Sequence, residues 1–350
     1  MSLQIAWYQK QWWLNFLLPF SFLFGAIVKL RRACYRAGLC KTTSFQVPVI
    51  VIGNVTVGGT GKTPLVIALA QFLQQQGYHP GIVSRGYGGR ALHYPLSVTA
   101  ESNPYEVGDE AVLMARRTGC PVVIAPKRVK AVRYLLHRFA CDIVLSDDGL
   151  QHYALGRDIE IAVIDGKRGF GNGLGLPAGP LREPVNRLEQ VDFIISHDVL
   201  NPQIALPKKA YLMRLKPICM RNVADPQRSI SLLSLYGQQV HAFAGIGHPQ
   251  RFFEVLKQLG MRVEARSFAD HYRFTHRDLQ QFNSHKKVLM TEKDAVKCQH
   301  LIPVDTKQFW YMEVAAQLEP SFQQQLLNAI MRLPLKYTSI NHKLFEQEST

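Results

Sequence analysis

The run Val57-Gly58-Gly59-Thr60-Gly61-Lys62-Thr63-Pro64 sets three glycines, a lysine and a hydroxyl residue in the order that grips a phosphate chain. Backbone N–H groups of such a turn converge on phosphate oxygens, and a following helix adds the positive end of its dipole. On this reading Gly58, Gly59, Thr60 and Gly61 form the cradle. Lys62 reaches the β- and γ-phosphates, and the Thr63 hydroxyl ligates Mg²⁺. The usual pattern starts with a glycine where this chain has Thr56, and a glycine-rich turn without a ligand is the alternative. The apolar run 47–52 before the loop and the helix-compatible 62–76 after it supply a strand–loop–helix context. The expected ligand is a nucleoside triphosphate.

Other residues stand where such a site needs them. Asp147 and Asp148 follow the apolar run 143–146, so they close a strand, where a phosphate-loop enzyme keeps the acid that serves Mg²⁺. Neighbouring strand side chains point to opposite faces, so one carboxylate would serve metal and the other either substrate or the residues that hold the site in place. A turn-forming Asp-Asp-Gly is the alternative. Asp109 and Glu110 open a predicted helix, where carboxylates either cap the first turn or do chemistry. Arg85, in Ser84-Arg85-Gly86-Tyr87-Gly88-Gly89, would offer a guanidinium to an anion, or is a solvated arginine beside a turn. His271, in Phe268-Ala269-Asp270-His271-Tyr272, is open between a structural and a catalytic role. Thr291-Glu292-Lys293-Asp294 resembles the base-reading motif of GTPases and equally a helix cap.

The elements that would position these residues alternate. Strand-like runs at 47–52, 81–84, 121–124, 142–146, 159–164 and 192–196 are separated by helical patterns at 62–76, 109–118 and 127–139. Alternation of this kind implies parallel pairing, so the fold class is α/β, a phosphate-loop doubly wound and mostly parallel sheet. Sites in such sheets lie beyond the carboxyl ends of the strands. A second strand-and-helix series (240–244, 249–259, 287–291, 308–312) predicts a smaller α/β domain. The expected bounds are 1–36 for an apolar, membrane-associating segment, 37–220 for the nucleotide-binding domain and 221–350 for the smaller one. Segment 165–184 holds six glycines and three prolines, too many for a regular element.

The 41 Lys+Arg against 26 Asp+Glu give a net charge of +15, which points to an anionic partner: nucleic acid, lipid surface or phosphorylated substrate. The six cysteines are scattered without a C-x-x-C pair, as in a reducing compartment. Residues 12–28 carry no charge. As a helix they span roughly 26 Å at ~1.5 Å per residue, short of a ~30 Å hydrocarbon core. Lys29, Arg31, Arg32 and Arg36 follow at once and would stay on the cytoplasmic side, with Trp7, Tyr8, Trp12 and Trp13 as an interfacial belt. Membrane association is expected, spanning or lying in the interface. Packing on the protein's own core is the alternative.

Together the motifs resemble the tetraacyldisaccharide 4′-kinases of lipid A biosynthesis. The resemblance rests on Gly-Asn-x-x-x-Gly-Gly-Thr-Gly-Lys-Thr-Pro (53–64), Ser-Arg-Gly-Tyr-Gly (84–88), Val-Gly-Asp-Glu (107–110) and Ser-Asp-Asp-Gly-Leu-Gln-His (146–152). It continues in Pro-Ala-Gly-Pro-Leu-Arg-Glu-Pro (177–184), Phe-Ala-Asp-His-Tyr-x-Phe (268–274) and Thr-Glu-Lys-Asp-Ala-Val-Lys (291–297). Thr56 belongs to that family's form of the loop. The resemblance implies transfer of the ATP γ-phosphate to the 4′-hydroxyl of a tetraacylated glucosamine disaccharide 1-phosphate, at the cytoplasmic face of the bacterial inner membrane. It implies Asp109 as general base with His271 as its partner, and Asp147 serving Mg²⁺ with Glu110 a further metal ligand. Lys62 and Thr63 hold the phosphates, and Arg182 joins Arg85 and Asp148 as a contact to substrate or anion. With the bounds above, His271 lies in the smaller domain, so domain closure would assemble the site. The implied partners are the lipid disaccharide and an anionic membrane surface. A membrane-associated switch GTPase would leave Asp109, His271 and 165–184 without a purpose, and a nucleic-acid binder driven by the +15 charge is the third reading. No nucleic-acid recognition motif is visible, and the oligomeric state is not fixed.

Overall fold

The computed structural model describes residues 3–282, 285–303 and 306–334. The chain forms two compact units: one from the chain up to Arg85, Cys120–Arg214 and the chain from Gln317 on, the other from Gly86–Gly119 and Leu215–Ala316. Measured against the expected bounds, 86–119 groups with the second unit and the C-terminal helix with the first. Packing explains both. The helix Asp109–Thr118 packs on Glu292–Cys298, where Arg117 Nη1 donates to both Glu292 oxygens at 2.9 Å. The helix Pro320–Met331 buries Phe322, whose ring meets Phe193 and Tyr211 of the first unit.

In the first unit, Val49–Gly53 lies between Ile143–Ser146 and Ile159–Asp165, parallel to both. Pro80–Ser84 and Val122–Ile124 extend the sheet on the Ile143–Ser146 side; Phe193–His197 and the start of Ala210–Asn222 extend it on the other, all parallel. The central strand is therefore the switch point of a doubly wound sheet, where ligands bind beyond the strand ends. Its five residues are fully buried, as a strand covered on both faces requires. Val49, Val51, Val144, Ala162 and Ile194 sit in one core with Ala131, Val132 and Leu135 of the helix Arg128–Arg138.

The N-terminal segment is part of this unit. It comprises Leu3–Gln9, a 3-10 turn at Trp12–Leu17 and the helix Leu18–Arg36. Pro19 occupies the helix's first turn, where a missing N–H costs nothing. The stretch Trp12–Arg36 is long and apolar enough to cross a membrane. Yet Trp7 is buried rather than forming an interfacial belt: its Nε1 donates to Pro177 O at 2.9 Å, and Ala6, Trp7 and Leu14 pack with Val57 and Leu176. Ser21 Oγ donates to Gly175 O at 2.7 Å. Phe16, Phe20, Leu23, Ile27 and Leu30, spaced along one helical stripe, are 56–72 % exposed.

In the second unit, Arg262–Ser267, Gln239–Ala244, Val288–Thr291 and Phe309–Leu318 pair in that order and in parallel. Two cores cover them. One holds Phe252, Phe253 and Leu256 of the helix Pro249–Gln258, and the other Phe243, Phe274, Phe282 and Ala295.

Candidate active site

In the first unit the glycine-rich loop, the candidate phosphate loop, joins the central strand to the helix Lys62–Gln75. Gly61 precedes the helix at φ +92°, in the left-handed region that glycine occupies freely. A Cβ there would come within 2.9 Å of His197 Nδ1 and 3.0 Å of Met213 Cε, so the position excludes a side chain on both counts. Thr56 is buried and bridges Leu181, while Val57 N–H donates to Pro180 O and Arg182 N–H to Val55 O. The glycine-rich 165–184 segment thus braces the phosphate loop through main-chain bonds. Thr56 fills a place that a glycine would leave empty.

Lys62 Nζ donates to Asn54 Oδ1 at 3.1 Å and lies 3.5 Å from Asp148 Oδ1. Arg182 Nη1 donates to both Asp148 oxygens, at 3.0 and 2.9 Å. Burial would raise the Asp148 carboxyl, but Lys62 and Arg182 outweigh it and hold the group well below the usual carboxylate range. Lys62, Asp148 and Arg182 are therefore one ionic cluster at the loop, and Asp148 orients both cations. Asp147 is buried at the end of its strand and accepts from Ser84 Oγ at 3.2 Å. Thr63 is buried at the helix start. Arg85 is exposed just past Pro80–Ser84.

Sequence reasoning missed the supports of this cluster. Arg128, buried, donates to Asp147 O at 3.0 Å and to Ala125 O at 2.9 Å, and burial lowers its pKa to about 10. Gln151 Nε2 donates to Asn54 O and to Glu183 Oε1. The available signal was polar residues locked inside rare glycine-rich motifs: Asn54 in Gly-Asn, Gln151 in Asp-Asp-Gly-Leu-Gln-His, Glu183 in Leu-Arg-Glu-Pro.

In the second unit, Asp109 and His271 meet. Asp109 Oδ2 lies 3.3 Å from His271 Nδ1, and Asp109 Oδ1 accepts from the Glu110 N–H at 2.9 Å. Both residues belong to this unit, so bringing this pair together needs no domain closure, contrary to the expectation from the sequence bounds. The physical reason is the packing of Asp109–Thr118 on Glu292–Cys298. His271 has φ +56°, an uncommon conformation for a side-chain-bearing residue. It stays there because Tyr87 meets the imidazole edge-on at 5.0 Å, while Phe268, Tyr272 and Phe274 interlock in the same loop. Burial would raise the Asp109 pKa. The hydrogen bond from His271 with the charges of Lys293 and Lys297 lowers it instead, to about 2. The same hydrogen bond raises His271.

Thr291-Glu292-Lys293-Asp294 supports this pair. Asp294, fully buried, accepts from Gly245 N–H at 3.1 Å and Thr291 Oγ1 at 2.6 Å, and lies 2.8 Å from Lys297 Nζ. A carboxylate so occupied does not read a base. Lys297 Nζ is 4.0 Å from Asp109 Oδ2, and Lys293 pairs with Glu110. Glu110 thus already has a cation beside it. Among the described residues no group of three or more His, Cys, Asp or Glu forms a metal cage. Mg²⁺ does not need one: it takes one or two carboxylates and keeps waters and phosphate oxygens as its other ligands. The hard oxygen donors Asp147 and Thr63 fit that demand.

The model of the tetraacyldisaccharide-1-P 4′-kinase family, LpxK, matches residues 13–331. The tetraacyldisaccharide 4′-kinase of Methylobacillus flagellatus is 49% identical over 333 residues, 93% of this chain and 96% of its own. That of Nitrosococcus oceani is 48% identical over 334 residues, 95% and 96%. Among solved structures, LpxK from Aquifex aeolicus in complex with ATP aligns with TM-score 0.76 at 29% identity, covering 91% of this chain and 99% of that one.

Proposed function

Because the chain belongs to the tetraacyldisaccharide-1-P 4′-kinase family, we propose that its two clusters divide one phosphoryl transfer between them. The protein is an ATP-dependent kinase of lipid A biosynthesis, and its acceptor is a lipid disaccharide. In the first unit, Gly58–Gly61 and Lys62 hold the ATP phosphates, and Asp148 with Arg182 keeps Lys62 in place. Thr63 and Asp147 would hold Mg²⁺, which when bound offsets charge on the phosphate oxygens. In the second unit, Asp109 accepts the proton of the 4′-hydroxyl. A carboxylate this acidic takes a proton late, as the hydroxyl oxygen bonds to the γ-phosphorus and the bond from that phosphorus to the bridging oxygen breaks, releasing ADP. That suits a loose transition state in which positioning matters more than base strength.

The observation that carries this reading is the buried Asp109 carboxylate held against His271 Nδ1 at 3.3 Å. Its test is transfer of labelled γ-phosphate from ATP to a tetraacyldisaccharide 1-phosphate. Label should appear in the lipid for the wild type and be nearly absent for Asp109→Asn. Full turnover by Asp109→Asn would remove Asp109 from the mechanism.

The protein works at the cytoplasmic face of the bacterial inner membrane, with the N-terminal helix lying in the interface rather than spanning. Ser21, in the first turn of the helix Leu18–Arg36, bonds to Gly175, and Arg36, its last residue, donates to Gln190, both of the first unit, while Phe16, Phe20, Leu23, Ile27 and Leu30 stay exposed along one face. A spanning helix could not keep both ends on the same unit, whereas an amphipathic helix buries such a stripe in the plane of the interface. Deleting residues 1–28 should release the protein from membranes; retention would assign attachment to the basic surface.

A further inference from the structure

At the far end of the same helix the structure opens a cavity of about 520 Å³, lined by Arg32 and Arg36 with Tyr153, Arg157 and Arg187. It lies away from the phosphate loop. Asp158 and Asp192, which also line it, immediately precede Ile159–Asp165 and Phe193–His197, so the cavity sits at the amino ends of strands whose carboxyl ends face the loop. A five-residue strand separates the two by roughly 17 Å.

The carboxylates around the cavity are committed. Glu160 pairs with Arg157 at 2.8 Å and with Arg187. Glu183 accepts from Tyr153 Oη at 2.6 Å and lies 3.5 Å from Arg187 Nε. Asp158 and Asp192 accept the backbone N–H groups of Val49 and Glu160. The helix arginines remain in surplus. Arg32, half-buried, makes no hydrogen bond or ion pair among the described residues. Burial lowers its pKa, and Arg187 and Arg36 lower it further, against a smaller opposing pull from Tyr153 and Glu183, so Arg32 carries its charge with no carboxylate in hydrogen-bond or ion-pair reach among the described residues. Arg36 donates to Gln190, its one hydrogen-bond partner among the described residues, and Arg31 lies over the Tyr153 ring at 5.6 Å.

We infer that this cavity receives the phosphate of an anionic phospholipid headgroup, at a site distinct from the catalytic centre. The site begins where the apolar stripe ends, at Leu30, which is the depth at which lipid phosphates meet a helix lying in the interface. The volume exceeds what a lone phosphate needs and suits a glycerophosphate group. Guanidinium pairs bind phosphate in a fork geometry. The inference rests on the interfacial placement of the helix.

The test uses the full chain and vesicles of phosphatidylcholine, alone or mixed with phosphatidylglycerol. The wild type should prefer the mixed vesicles. Arg32→Gln/Arg36→Gln should lose that preference by about tenfold while binding pure phosphatidylcholine and ATP as before. Lys29→Gln/Lys41→Gln, which removes equal charge from exposed positions outside the cavity, should lose less. An unchanged preference in the arginine variant, or an equal loss in the lysine variant, would overturn the site in favour of diffuse surface charge. Wild-type binding to both compositions alike would overturn it alone, whereas failure to bind any vesicle would overturn the interfacial placement too. Inorganic phosphate that raised the melting temperature of the wild type well above that of Arg32→Gln/Arg36→Gln, and as far as the mixed vesicles do, would assign the cavity to a soluble phosphate and overturn the lipid.

Discussion

The glycine-rich loop before Lys62 and the Asp109–His271 pair are held in place by opposite routes. The loop is a local object: one strand, one turn and one helix in succession, braced by main-chain bonds from Pro180 and Arg182. The pair joins residues far apart in the chain, and its geometry depends on side chains: Asp294, Lys297 and the aromatic group around His271. A site made of backbone survives most side-chain changes except at the residues that touch ligand. A site made of side chains is only as good as the shell that holds it.

Four measurements would break or sharpen this contrast. Lys62→Ala should lower kcat/KM by about 10³-fold, since it removes a fixed cation at the transferring phosphates, and ATP affinity should fall with it. Asp109→Asn should cost about 10²-fold with ATP affinity unchanged, which titration calorimetry would read; a parallel loss of affinity would erase the division of labour. His271→Gln should cost about tenfold, and combining it with Asp109→Asn should add little, because the two act as a unit. At the loop itself, Thr56→Gly restores the more usual motif. It should nevertheless lower stability by about 1 kcal/mol through added chain freedom, with kcat changed least of all four.

The pair also predicts a pH signature in stability. The folded pKa of Asp109 is depressed to about 2. Its contribution is therefore complete above the unfolded value of about 4 and is lost as pH falls towards 2. His271 is raised, so its contribution is complete below about 6.5 and is lost as pH rises through the folded value. The stabilisation that Asp109→Asn abolishes should be largest between those limits. A melting-temperature difference between wild type and variant that stayed flat across pH would show that the pair is not ionically coupled.

Legibility in the sequence followed the same division. The parallel sheet was readable because strands buried on both faces are continuous apolar runs, as Val49–Gly53 is. The glycine-rich turn between strand and helix was readable because its residues are contiguous. The grouping of 86–119 with 215–316 was not readable, since it depends on how Asp109–Thr118 packs against Glu292–Cys298, and helix packing leaves no local pattern. The roles of Arg128 and Gln151 were hidden for a related reason: both donate to main-chain carbonyls, Asp147 O and Asn54 O, and a carbonyl has no residue type to betray it.

By itself, then, the sequence determined the chemistry on offer: a glycine-rich turn running into Lys62 and Thr63, acids at a strand end, an apolar segment followed by basic residues. Those follow from residue type and near spacing, which fix backbone conformation and periodicity locally. Tertiary structure decided the assignments. It gave Asp148 to Lys62 and Arg182, Asp294 to a buried support, Asp109 to His271, and the N-terminal helix to the flank of the first unit. Each of these depends on which distant groups exclude water from one another, and no short stretch of chain records that.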